Sequence, residues 1–308
     1  MSTELTSQVS LDEFKQVAKI DDVLSELKNV HAHNSAVDSQ LEQLKAERNI
    51  GCAISCSAPI AWFVGIVLKQ SRSGEQLALF LMLLGFVLIV VGIVRVYKKQ
   101  VAKNKLAATK LPAYRVWVLQ YLLELLSADI PEEQEISVSV DFEEHNAEAF
   151  LLEEGKVSYW DVKYHSHDWL NVQCRLLDGS KLDLSVTEKQ QDRHRTKRSA
   201  SGKLKHKYKT KSSSLVSARI RFKEKNILPS VANSDEASTA IRIPGAELRK
   251  VNASQTEITV VAKYPLSIWN TNDEEVADGK NPFSQAATQR IANVLVGSFN
   301  YLNSHRVK

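Results

Sequence analysis

A pair of histidines followed by an aspartate is the part of this chain that most resembles a metal-binding motif. His165, His167 and Asp168 lie within the sequence YHSHDW. Side chains two residues apart share one face of a β-strand, so the two histidines could bind one metal ion with Asp168 nearby. A zinc site needs three or four protein ligands, and only histidines distant in the sequence could complete this one. We therefore predict no metal and no cofactor, assign both histidines structural roles, and leave the catalytic residues unknown.

A run of basic residues without any acidic residue is the second chemical feature. Residues 193–211, RHRTKRSASGKLKHKYKTK, carry nine Lys or Arg and no Asp or Glu, whereas the whole chain has a net charge of +4. Neutral residues alternate with lysines from Leu204 to Thr210, and SASG is a turn sequence, so the pattern predicts a β-ribbon at 186–222 with a charged face. The predicted anion-binding residues are Arg193, Arg195, Lys197, Arg198, Lys203, Lys205, Lys207, Lys209 and Lys211.

A charged ribbon of this kind is suited to phosphate groups, and three partners remain open. Anionic lipid attracts basic residues at a membrane surface, at roughly 1 kcal/mol per residue. A nucleic-acid backbone is the second candidate, with Tyr208 as the one aromatic residue of the segment available for base stacking. An acidic protein partner is the third. The chain also contains its own competitor, because residues 131–155 carry nine Asp or Glu and no Lys or Arg.

Two apolar runs predict where these residues work. Residues 50–68 and 77–94 carry no charge and are separated by a short polar segment. Each run is long enough to cross the ~30 Å hydrocarbon core of a bilayer as a helix. They predict a transmembrane helical hairpin at 50–97, an integral bilayer anchor with spans at 50–68 and 77–97. Two buried core helices of a soluble domain are the alternative.

The basic residues around the spans predict the orientation. Six Lys or Arg lie between residues 95 and 110, most of them in the basic linker 98–111, whereas the loop between the spans has two. Because cytoplasmic loops are enriched in Lys and Arg, we predict a multi-pass protein of the cell membrane with both termini in the cytoplasm. Ser57, Ala61 and Gly65 recur every four residues and predict a close-packing face on the first span.

The segment before the first span, residues 1–49, has the spacing of a coiled coil. Apolar residues recur at intervals of three and four from Ile20 onward, with Asn34 at an a position. A buried Asn at this position favours a parallel dimer in which it pairs with its counterpart, so we predict a homodimer. Packing of the stripe on the chain's own cytoplasmic domain is the alternative. The predicted dimerisation residues are Val23, Leu27, Val30, Asn34, Val37, Leu41 and Leu44.

Residues 112–308 predict a cytoplasmic α+β domain, which completes an α+β fold with an N-terminal coiled-coil helix and a two-helix transmembrane hairpin. Pro112 opens a very apolar helix, either a core helix or a helix at the membrane surface. The segment 228–247 could divide the domain into two lobes. The other predicted elements are strands at 135–140, 216–222 and 256–264, an antiparallel hairpin across Asp178-Gly179, and a terminal helix that begins near Pro282.

These features together predict a membrane-anchored dimeric binding or scaffolding protein that presents the basic ribbon to an anionic surface or partner. The alternative is a membrane-tethered enzyme or nucleic-acid-binding protein, similar to a nuclease or phosphoesterase, that uses the region of His165, His167 and Asp168. The chain has no phosphate-binding glycine loop and no nucleophile motif, so the sequence favours the binding role.

Overall fold

The chain forms, in a computed structural model, an α+β fold with a long N-terminal helix and an antiparallel sheet, as the sequence predicts. The structure describes residues 8–9, 13–69, 75–223, 229–265 and 282–306. The helices are α1 (Ile20–Lys69), α2 (Glu75–Ala107), α3 (Ala113–Leu126), α4 (Ser234–Ala240) and α5 (Pro282–Ser304). The strands are β1 (Gln8–Val9), β2 (Glu13–Lys19), β3 (Glu135–Asp141), β4 (Leu151–Val157), β5 (Trp160–Arg175), β6 (Lys181–Arg198), β7 (Leu204–Arg221), β8 (Glu247–Ala253) and β9 (Glu257–Tyr264).

The chain divides into two compact units, one formed by residues 1–28 with 112–308 and the other by residues 29–111. In the first unit, nine strands of the described chain form one antiparallel sheet in the order β1-β2-β3-β5-β6-β7-β9-β8, and β4 pairs with the first half of β5. Strands β8 and β9 belong to the same sheet as β3, so the segment 228–247 does not separate two lobes.

The N-terminal segment contributes a strand that the coiled-coil prediction for residues 1–49 did not include. β2 pairs with β3 over its whole length, with Phe14 opposite Val140. Its burial alternates, but the inward positions include Gln16, while Val17 points outward and is 52% exposed. The apolar pattern that identifies a half-buried strand is therefore weak here.

The centre of the sheet has a fully apolar inner face. Val172, Leu184, Ala218 and Val260 are cross-strand neighbours on β5, β6, β7 and β9, and all four are buried. Burying a Val or Leu side chain stabilises a fold by about 1.5–3 kcal/mol. Helix α5 contacts α3, β7 and β9. The hydrophobic pairing thus fixes the register of the long strands.

Helix α3 begins directly after Pro112, whose φ of −62° suits a helix start. Val118, Leu119, Leu122 and Leu123 are each at most 1% exposed. This burial agrees with the interpretation of α3 as a core helix and not with a helix lying on a membrane surface.

In the second unit, the later part of α1 and helix α2 contact each other in antiparallel order. Arg48 Nη1 donates to Gln100 Oε1 at 3.0 Å, and Lys99 forms an ion pair with Glu47. Helix α2, from Leu79 to Ala107, is the one helix among the described residues that is long and apolar enough to cross a membrane. The run 50–68 lies in α1, but several of its side chains fall outside the described residues.

Candidate anion-binding site

The basic segment lies at the end of a long two-stranded ribbon. β6 and β7 pair without interruption from Lys181 opposite Arg221 to Arg198 opposite Leu204. The connecting turn is closed by a hydrogen bond from Ser199 N to Lys203 O of 2.9 Å, and Gly202 adopts a φ of 75° there, a conformation that glycine takes without strain. The apolar rows of the sheet lie at the other end of the same two strands.

Alternation along the two strands places seven of the nine basic residues on one face, here called the basic face. Three of its pairs set like charges directly opposite each other across the ribbon, and such pairs destabilise a sheet by up to about 1 kcal/mol each. The pairs are Arg193 with Lys209, Arg195 with Lys207 and Lys197 with Lys205, and the seventh residue is Lys211, opposite Gln191. Of the remaining two predicted residues, Arg198 lies on the opposite face and Lys203 in the turn.

The basic face has no acidic partner in the part of the chain that the structure describes. Among the described residues, none of the nine Lys or Arg in 193–211 forms an ion pair with an Asp or Glu. The acidic segment 131–155, which could have neutralised it, makes its ion pairs elsewhere: Glu154 with Lys163 at 2.6 Å and Glu133 with Lys19 at 2.5 Å. The charges of the face therefore meet mainly solvent.

Trp160, the first residue of β5, is a member of this face that the sequence reasoning missed. The Arg195 guanidinium carbon lies 4.5 Å from the centre of the Trp160 ring, and the Lys209 ammonium lies 5.6 Å from it. Each such contact attracts a cation to the ring by roughly 0.5–1 kcal/mol at an exposed site. Trp160 thus holds two cations of neighbouring strands in place. The sequence shows only that an aromatic residue begins a strand, and this does not indicate which residues of other strands it contacts.

Tyr208 lies on the opposite face, away from the seven cations. Its ring stacks on His194 with 4.7 Å between ring centroids, and His194 in turn stacks on His206 at 5.6 Å. On the same face Thr210 Oγ1 donates to Asp192 Oδ1 at 2.6 Å. The aromatic residue predicted for base stacking therefore has a contact within the ribbon, and its use in base stacking stays a prediction.

The histidine pair of the sequence motif is placed on one strand face, as predicted, but Asp168 is not with it. His165 and His167 point to the inner face and are 5% and 1% exposed, whereas Asp168 is exposed on the outer face and accepts from Thr187 Oγ1 at 2.5 Å. A β-bulge between Asp168 and Leu170 follows directly. Among the described residues no group of three or more His, Cys, Asp or Glu side chains is arranged to hold a metal ion.

His167 belongs instead to a chain of buried and half-buried polar groups. Arg115 Nη2 lies 3.3 Å from His145 Nε2, His145 Nδ1 lies 2.9 Å from His167 Nδ1, and His167 Nε2 lies 3.1 Å from Asp141 Oδ2. Arginine only donates, so His145 accepts at Nε2 and donates from Nδ1. The proton of His167 then lies on Nε2, towards the Asp141 carboxylate. One tautomer of each ring is compatible with all three of these distances.

Burial and the Arg115 cation favour the neutral form of both rings by lowering the pKa of each. Burial, with the neighbouring Arg115 cation, lowers the pKa of His145 to about 2. Burial also lowers the pKa of His167, although the Asp141 carboxylate acts in the opposite direction. Phe150 stacks on the His167 ring with centroids 3.8 Å apart and covers it. A covered and neutral histidine whose ring nitrogens face His145 and Asp141 is suited to a structural role.

The predicted dimer residues are in part covered by the chain itself. Val23, Leu27, Val30, Asn34 and Val37 are buried, while Leu41 and Leu44 are half-buried. Asn34 makes two hydrogen bonds to the backbone of Leu111, with Nδ2 donating to the carbonyl at 3.1 Å and Oδ1 accepting from the amide at 3.2 Å. Dimerisation stays a prediction, and the buried amide has a partner within one chain.

The predicted small-residue face of the first span is only partly visible. Ser57 is exposed and donates to Ile54 O at 2.7 Å, and the surroundings of Ala61 and Gly65 lie outside the described residues. The close approach of α1 and α2 occurs at Gly92, where an added Cβ would lie 3.0 Å from Ser55 N and overlap its hydroxyl. Ser55 and Ser57 are about 200° apart around the helix, so the contact at Gly92 lies on a different side of α1 from Ser57.

No protein-family model, no curated protein and no solved structure matches this chain.

Proposed function

We propose that this protein is a membrane-anchored binding protein that presents the basic face of its ribbon to an anionic partner in the cytoplasm. The observation that carries the proposal is the set of seven cations on one face, including three cross-strand pairs of like charge, without an acidic partner among the described residues. The repulsion between these like charges destabilises the ribbon, and a bound polyanion would relieve it by placing negative charge next to them.

The proposed anchor is a hairpin of two spans, formed by α2 and the apolar half of α1. Large apolar side chains are exposed along both helices, such as Phe63 at 68% in α1 and Leu83 at 65% in α2. Monomeric soluble proteins rarely expose long apolar surfaces of this kind, and a bilayer would cover them. The excess of Lys and Arg between residues 95 and 110 supports a cytoplasmic side for both ends of the hairpin.

The function is tested on the full-length protein in nanodiscs of neutral lipid, applied to a heparin column as a generic polyanion. The test variant carries Lys197→Gln, Lys205→Gln and Lys207→Gln. A matched control with the same loss of charge carries changes at three exposed basic residues elsewhere in the first unit, Lys223→Gln, Arg242→Gln and Lys250→Gln.

We expect wild type and control to elute at the same high salt concentration and the ribbon variant at a clearly lower one. Equal elution of all three proteins would mean that the basic face does not bind anions, and the proposed function would be wrong. Extraction of cell membranes with alkaline carbonate tests the anchor separately, because an integral protein stays with the lipid.

A further inference from the structure

The basic face is arranged in two straight rows, which is the arrangement that a linear polyanion requires. Successive side chains on one face of a strand are spaced about 6.6 Å apart, and cross-strand neighbours about 5 Å. The four lysines of β7 therefore extend over about 20 Å, beside three cations on β6. If this face takes an anionic partner, as proposed above, we infer that the partner is the phosphodiester backbone of a nucleic acid.

The distribution of apolar side chains separates nucleic acid from a bilayer surface. The two faces of a β-ribbon point in opposite directions, so a ribbon that lays its basic face on lipid headgroups turns the apolar side chains of the other face away from the bilayer and cannot insert them. Here the exposed Leu204 and Tyr208, at 60% and 73%, lie on the face opposite the lysines. Trp160, on the basic face, is held between Arg195 and Lys209 rather than projecting from it. Val157, at the edge of the basic face, is an exposed aliphatic side chain, but burying one Val side chain in lipid contributes only about 1.5–3 kcal/mol.

The two arginines of the face are held in direction by neighbouring side chains. Arg193 and Arg195 are half-buried, and the Arg195 guanidinium lies over the Trp160 ring. Arg193 Nη2 donates to Gln191 Oε1 at 2.8 Å, which fixes its direction. A guanidinium held in this way binds phosphate oxygens with less loss of conformational freedom than a mobile side chain. Trp160 acts as a positioning residue for Arg195.

Lysines dominate the face, so the recognition is of backbone charge and not of base sequence. Lysine is a point charge that contacts phosphate without reading base edges. Affinity then falls linearly with salt on logarithmic axes, with a slope of about −0.7 for each phosphate neutralised on a single strand. Removing three lysines should reduce the slope by about 2 and, at 0.1 M salt, weaken binding roughly 100-fold.

The experiment measures fluorescence anisotropy of a labelled oligothymidine and of a DNA duplex with full-length protein in neutral-lipid nanodiscs, over a series of salt concentrations. Flotation with phosphatidylserine vesicles is the parallel measurement. The variants are the ribbon variant K197Q/K205Q/K207Q and the control variant K223Q/R242Q/K250Q. Thermal unfolding verifies that the ribbon variant folds, which we expect because it removes like-charge pairs.

The expected result is salt-dependent binding of oligonucleotide that the ribbon variant loses and the control keeps; the single-strand and duplex arms then define the form that is bound. Binding to anionic vesicles without binding to either oligonucleotide would overturn this inference and leave the proposed function intact. Oligonucleotide binding that both variants weaken equally would place the site elsewhere and also overturn it. Failure to bind oligonucleotides, vesicles and heparin would overturn both.

Discussion

Replacing His145 by Gln should make the fold less sensitive to acid. Gln presents the same two groups to the same neighbours: its oxygen can accept from Arg115, and its amide can donate to His167, as the His145 ring does. The substitution therefore keeps the buried hydrogen bonds and removes only the group that can bind a proton. His145→Phe, by contrast, leaves Arg115 and His167 without this partner and should destabilise the protein at every pH.

The magnitude follows from the two pKa values of His145. The unfolded chain binds this proton below the ordinary value of 6.5, and the folded chain does so only near a pKa of about 2. Between those values the unfolded state holds one more proton, so stability is full above pH 6.5 and falls as the pH is lowered. The slope is about 1.4 kcal/mol per pH unit. From about pH 7.5 to about pH 4.5 the loss is therefore up to about 2.7 kcal/mol, to which His167 adds in the same direction.

The assay is urea unfolding of the full-length protein in a non-ionic detergent, followed by tryptophan fluorescence at the two pH values. Carboxylates also titrate in this range, so the quantity of interest is the difference between variants. We expect His145→Gln to lose about 2–3 kcal/mol less than wild type on acidification. His33→Gln, at an exposed histidine, is the matched control. If His145→Gln lost as much stability as wild type, the buried neutral histidine would not be a source of acid sensitivity.

Two further predictions concern the second unit. Asn34→Leu leaves the backbone amide and carbonyl of Leu111 without their partner. Urea unfolding should therefore show a loss of stability of about 1–3 kcal/mol for each of the two groups. If light scattering instead showed a loss of dimer mass without a loss of stability, Asn34 would belong to a seam between two chains. Gly92→Leu should separate α1 from α2, because an added side chain there overlaps Ser55. The separation is measured by a disulfide between Arg48→Cys and Gln100→Cys, two positions whose side chains are in contact in wild type. Gly92→Leu should abolish this disulfide, and unchanged crosslinking would contradict the close approach at Gly92.

The elements that sequence reasoning predicted best have a strong alternating or helical apolar pattern. The strand at 135–140 is β3, with alternating burial along its length, and the predicted terminal helix is α5. The hairpin at Asp178-Gly179 is present, with Cys174 opposite Leu182 and a φ of 82° at Gly179. In each case local residue preference and tertiary packing favour the same structure, so a single sequence is sufficient.

The missed features have different causes. Trp160 and Arg195 are 35 positions apart, and they meet because β5 pairs with β6 in a register that the apolar residues of both strands set far from the ribbon end. The separation of Asp168 from His167 follows from strand alternation, and the sequence gives no indication of the bulge beside it. β2 was missed because an inward Gln16 and an outward Val17 reverse the usual apolar signal. Long-range pairing decides the contact of Trp160 with Arg195, and composition carries no information on it, whereas the other two cases depend on local patterns.

The apolar rows of the sheet also decide on which face the charges of the ribbon lie. Side chains alternate with a period of two, so a slip of one residue between β6 and β7 would break the match of Leu184 with Ala218. The same slip would set Arg195 opposite a different β7 residue and move Lys209 away from Trp160. The repulsion between like charges favours such a slip, and the buried rows and the stacked opposite face resist it. A core substitution at Leu184 that loosens the register should therefore weaken anion binding without changing a single basic residue.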